Sequence, residues 1–167
     1  MLTRRLRRML VAAAVLAVGT LAVTMLAQAN TTGDEHPAAI RGGGTTLVRG
    51  GTGAPSFTPV TTKFAFAWND GTGGFECLAL VPSAAAGKPG SGNFDTNAMY
   101  VTGSLTSVQV RGQSAVLKGT ATVTGLGAGT NAPFTATVTR GGPGATLVLE
   151  ISGLTFSEIV LEGEITF

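Results

Sequence analysis

The few side chains in this chain able to do chemistry sit beside a glycine-rich turn and a long small-residue loop. Trp68, Asn69 and Asp70 stand where a β-rich stretch enters the turn Asn69 to Gly74. A ring that stacks on a sugar face, next to amide and carboxylate groups that bond its hydroxyls, is one way to build a glycan site. The plainer reading is a core tryptophan beside an ordinary Asn-Asp turn, and its alternation with Phe64 and Phe66 favours that reading. Glu76, Phe94 and Asp95 flank the loop from Pro82 to Asn97, so an aromatic set (Phe64, Phe66, Trp68, Phe75, Phe94) gathers near it. That set suits a small apolar ligand or a glycan. Asp70, Glu76 and Asp95 offer the oxygens calcium prefers, but no ligand loop of the required spacing is present, so no metal site is expected.

Catalytic groups are scarcer still. The chain has one histidine, one cysteine, one tryptophan and one tyrosine. His36 lies beside Glu35 in a Gly, Thr and Pro-rich stretch, which is too few ligands for a dedicated metal centre. No Gly-x-Ser-x-Gly elbow occurs, so a serine hydrolase is not expected. Cys77 shares a period-two apolar face with Phe75, Ala79 and Val81, which predicts a buried, inert thiol. Glu162 and Glu164 read as the solvated side of a strand, where like charges discourage edge pairing, rather than as the facing carboxylates of a glycosidase. An enzyme here would have to work through shape and a single acid, Glu76 or Asp70. The expectation is no catalysis, no catalytic residue and no cofactor.

The elements that must position these residues begin after an export signal. Arg4, Arg5, Arg7 and Arg8 precede an uncharged run from Met9 to Leu26, and Ala27-Gln28-Ala29 has the small-x-small pattern of a cleavage site. Residues 1–29 therefore read as a signal peptide, with only transient membrane contact, and the chain as secreted or associated with a cell surface. The full chain carries a net charge of +2, but four of its eleven basic residues lie in the signal. The remainder is acidic overall and has no basic stripe for a phosphate backbone, so nucleic acid is not an expected partner.

Residues 30–59 lack a sustained apolar period and read as a tether, flexible over Asn30 to Gly44, with a short strand at Thr45 to Arg49. From Val60 onward the pattern is strand and turn. Phe64, Phe66 and Trp68 alternate, and Phe75 to Val81 returns after the turn as a hairpin. Ala98 to Arg111 is one long strand or two broken near Gly103 to Thr106. Ala115, Leu117, Gly119, Ala121 and Val123 share a face opposite Val116, Lys118, Thr120, Thr122 and Thr124. Phe134, Ala136 and Val138 and then Leu147, Leu149 and Ile151 repeat the pattern, and Ile159, Leu161, Ile165 and Phe167 are assigned inward in the last strand. No window has a helical period. The predicted fold is all-β: about 7–9 antiparallel strands in a single domain over 60–167, forming a β-sandwich or a flattened up-and-down barrel, with the sandwich slightly favoured by glycines inside strands.

The segments Lys63 to Phe66, Val101 to Val110, Ala115 to Gly125 (AVLKGTATVTG) and Phe134 to Val138 resemble the strand pattern of the post-COAP-1 domain, a family of bacterial secreted all-β modules. The resemblance covers roughly residues 60–152 and implies export and an all-β fold, with no activity attached; Leu154 to Phe167 departs from it. The sequence thus points to a secreted or cell-surface non-catalytic structural or interaction module meeting a protein or glycan at the cell surface. The alternative is a small-ligand or glycan-binding domain using Trp68, Asn69, Asp70, Glu76, Phe94 and Asp95.

Overall fold

Eight antiparallel strands, each hydrogen-bonded to its neighbours in chain order, close into a barrel. A computed structural model describes residues 39–55, 58–84 and 92–167. The expected export signal, Glu35 and His36, and residues 85–91 of the long loop lie outside the described residues. The strands are β1 (Ala39–Gly50), β2 (Thr61–Asn69), β3 (Thr72–Pro82), β4 (Phe94–Arg111), β5 (Ser114–Gly125), β6 (Gly129–Thr139), β7 (Thr146–Ile151) and β8 (Leu154–Thr166). β1 pairs with both β2 and β8, which closes the sheet and leaves no free edge. The architecture is therefore a closed up-and-down barrel, and the sandwich is excluded.

The first strand corrects the reading of residues 30–59. The tether and the short strand at Thr45 to Arg49 give way to twelve residues of strand beginning at Ala39. Gly42, Gly43 and Gly44 hide it from any apolar pattern, and the first and last of them have structural causes. A Cβ at Gly42 would lie 2.6 Å from the Phe66 ring, so the ring takes the space a side chain would need. Gly44 faces Gly163 across the seam, and a Cβ on either would come within about 2.1 Å of the opposite backbone. Gly163 also has a φ of +107°, a conformation that side chains resist.

The inward faces of β2, β3, β5, β6 and β7 are those the alternation predicts, and Cys77 is buried among them. β4 is one strand whose inward set changes from Met99, Val101 and Leu105 to Val108 and Val110, because its pairing with β5 shifts between Leu105 and Ser107. Such a bulge adds one residue and flips the parity. β8 does the same at Leu161. Thr45 pairs with Glu162 and Thr46 with Val160, so Leu161 is squeezed out and is 49% exposed. Phe156, Glu158 and Val160 point inward before the bulge and Ile165 after it. The inward assignment of Ile159 and Leu161 is thereby corrected.

Rings fill the interior. Phe75 on β3 meets Phe134 on β6 across the barrel, with centroids 5.0 Å apart, and Phe64 stacks with Phe66 at 6.2 Å. Gly103 and Gly119 lie in β4 and β5, where a Cβ on Gly119 would come within 2.8 Å of the Phe134 ring. Small residues opposite large ones are how an eight-stranded barrel packs its core.

The two ends differ. At one end the connections include the pair Asp70-Gly71, both at positive φ as a tight type I′ hairpin requires, and Gly112-Gln113. The other end carries the long β1–β2 and β3–β4 connections and the β5–β6 turn.

Candidate functional site

The predicted site residues do not converge. Trp68 is only 9% exposed, part of the core, so its ring is not offered to a sugar. Asn69 closes the β2–β3 hairpin opposite Thr72, whose hydroxyl donates to its carbonyl, and Asp70 occupies the turn at φ 45°. Glu76 points outward, on an open groove with Lys63, Ala65, Leu78, Asn97 and Tyr100. Phe94 and Asp95 are exposed at the start of β4, where Phe94 pairs with Pro82. Trp68 pairs with Gly73 at the far end of the same strand β3, so these groups stand about 30 Å apart at the rise of an extended strand. Among the described residues no group of three or more potential metal ligands forms.

A different constellation lies inside the barrel. Thr46, Thr62 and Glu158 are the buried polar side chains among the described residues, with exposures of 0%, 2% and 4%. They come from β1, β2 and β8, the three consecutive strands of the closing seam. The Thr46 and Thr62 hydroxyls both donate to Oε2 of Glu158 and touch each other. With the carboxyl ionised, both hydroxyls point at Oε2 and the edge between them carries no proton. With it protonated, Oε2 can donate to one threonine, that threonine to the other, and the second back to Oε2, so every edge is filled. Burial pushes the Glu158 carboxyl above the usual carboxylate range, with the two hydroxyl bonds pulling it back in part. Cys77 adjoins this cluster. Burial drives its thiol far above the ordinary value and the Glu158 charge adds to that, while a hydrogen bond with Thr62 works the other way. A thiol so placed stays protonated, as an inert cysteine should.

Directly over this layer the barrel opens into an apolar pocket of about 230 Å³. Its inward wall residues include Val48, Val60, Ala79, Met99 and Phe156. The inward residue two positions from each of them, on the side away from the mouth, is in turn Thr46, Thr62, Cys77, Val101 and Glu158. The polar layer therefore lies one pleat beneath the pocket, about 5 Å deeper for strands tilted as in such barrels. The β1–β2 connection forms one side of the mouth. Gly53 donates to the Thr155 carbonyl at 3.0 Å, the Thr52 hydroxyl accepts from the Thr155 amide at 3.0 Å, and Gly53 sits against the Phe156 ring. Leu126, 48% exposed, forms part of the rim from the β5–β6 turn, tied by its amide to the Ala98 carbonyl at 3.0 Å.

Reasoning from sequence missed this site. Thr62 was within reach, two residues before Phe64 on the same inward face. Glu158 was not, because the Leu161 bulge inverts the face read back from the end of β8. No family model, curated protein or solved structure matches this chain.

Proposed function

We propose that this chain is an exported, non-catalytic binding barrel that holds a small, mainly apolar molecule in the mouth formed by β1, β2, β3, β4 and β8. The observation that carries this reading is the pocket over the Thr46, Thr62 and Glu158 layer: apolar walls above a few placed polar groups is the common make-up of a small-molecule site. Its volume of about 230 Å³ suits a single ring or a short branched chain rather than a large ligand. Among the described residues the exposed large hydrophobics are Phe94, Leu126 and Leu161, and Leu126 stands at the rim of this pocket. Burial of Trp68 weighs against a glycan stacked on that ring.

Native mass spectrometry of the purified protein tests this reading. Extra mass that leaves on denaturation, and that is absent from Ala79→Leu with its side chain in the pocket, is the expected result. A bare polypeptide that also fails to take up small aromatic hydrocarbons would overturn it.

A further inference from the structure

Glu158 lies one pleat beneath an apolar pocket, the next inward residue after Phe156 on its strand, and its hydrogen bonds are lopsided. Oε2 takes both threonine hydroxyls, whereas Oε1 receives no hydrogen bond from a described residue. The side chains facing the carboxyl are Thr46 and Val48 from β1, Thr62 from β2, Cys77 from β3 and Leu147 from β7, so no cation meets it from these strands. When the proton closes the ring of three oxygens, Oε1 is left as an acceptor that lacks a donor. No fully buried side-chain oxygen among the described residues lacks a partner, so the unbonded Oε1 keeps some accessible surface, and a donor brought in by a ligand can reach it.

We propose that the pocket selects an apolar molecule carrying a single hydrogen-bond-donating head, an ammonium or a hydroxyl, whose head reaches Oε1 of Glu158 while its hydrocarbon body lies against Val48, Val60, Met99 and Phe156. This rests on the ligand-binding reading above. The two heads differ in their protons. An ammonium pairs with the ionised carboxylate, so its binding draws the Glu158 proton off to solvent; a hydroxyl can donate to Oε1 of the neutral acid, and its binding draws no proton away. Cys77, the one other titratable group facing the carboxyl from the described strands, stays protonated in both cases.

Titration calorimetry of the purified full chain with propylbenzene, 3-phenylpropan-1-ol and 3-phenylpropan-1-amine tests this, since the three share one skeleton. At least one donor-headed probe should bind at least about tenfold more tightly than propylbenzene, the gain of a single hydrogen bond to a buried acid. Repeating the titrations in buffers of different ionisation enthalpy compares the protons released, with more expected for the amine than for the alcohol. In Glu158→Leu, with folding verified by its near-ultraviolet circular dichroism, the donor advantage should fall to about onefold. Equal binding of all three probes to the wild type overturns the proposal, as does an advantage that survives in Glu158→Leu. Should that variant not fold, the wild-type ranking alone decides. If no probe binds, propylbenzene included, the pocket reading itself fails. If propylbenzene binds and the heads add nothing, only the present inference fails.

Discussion

The two halves of this barrel answer the same packing problem differently. Around Phe75, Phe134, Phe66 and Leu117 the interior is filled ring against ring, with Gly42 and Gly119 clearing space for the aromatics. Toward the mouth, Ala79, Val48 and Val60 are too small to meet across the interior, and the layer below them is Thr46, Thr62, Glu158 and Cys77. The same eight strands supply both halves, so strand count does not decide whether an eight-stranded barrel is solid or hollow. Side-chain volume at a few inward positions does. The filled half stabilises the fold, and the open half is where a ligand has room.

Substitutions can break this comparison, beginning at the seam both halves share. Gly163→Val should abolish cooperative folding, because its Cβ would lie about 2.1 Å from the Gly43 carbonyl oxygen at a φ that valine resists. Thermal denaturation monitored by circular dichroism should show no sharp transition. In the filled half, Phe75→Ala should cost about 3–5 kcal/mol in urea unfolding, since the ring is 1% exposed and leaves a cavity. A cost under about 1 kcal/mol would mean that this half is not tightly packed.

The polar layer should respond less strongly. Thr46→Val removes one donor to Glu158, and a loss of about 1–3 kcal/mol is expected in the same experiment. Its pH dependence has a definite sign. The folded state holds the Glu158 proton more tightly than the unfolded chain, so between the ordinary glutamate range and the raised folded value the native state binds more protons. The associated stability is fully present below the unfolded value near pH 4.3 and is lost as pH rises through the folded value. Unfolding free energy measured from pH 4 to pH 8 should therefore fall with pH in the wild type and fall less in Glu158→Gln. Identical slopes would remove Glu158 as the cause. The smallest effect is expected at the pocket: Ala79→Leu should change stability by less than about 1.5 kcal/mol, because the added side chain enters open space.

Much of the fold was legible from alternation. The inward faces of β2, β5, β6 and β7 are local facts of period two, and so are the burial of Cys77 and the two-residue Gly112-Gln113 turn. Three features were not, each for a physical reason. β1 carries glycines where a neighbouring ring or backbone needs the space, so its strand character is written in Phe66 and Gly163 rather than in its own residues. The faces of β4 and β8 change at bulges that exist only relative to the partner strand. The buried acid went unread because its inward position follows from the second of those bulges.

By itself the sequence determined that this is an all-β chain of alternating strands and tight turns, poor in catalytic groups, with its one cysteine in the core. Those properties depend on each residue and its near neighbours. Closure into a barrel, the register at the β1–β8 seam and the meeting of Thr46, Thr62 and Glu158 depended on the tertiary structure. Residues separated by up to 112 positions share one contact there. Local periodicity fixes which way a side chain faces along its own strand, but pairing between strands decides what it faces.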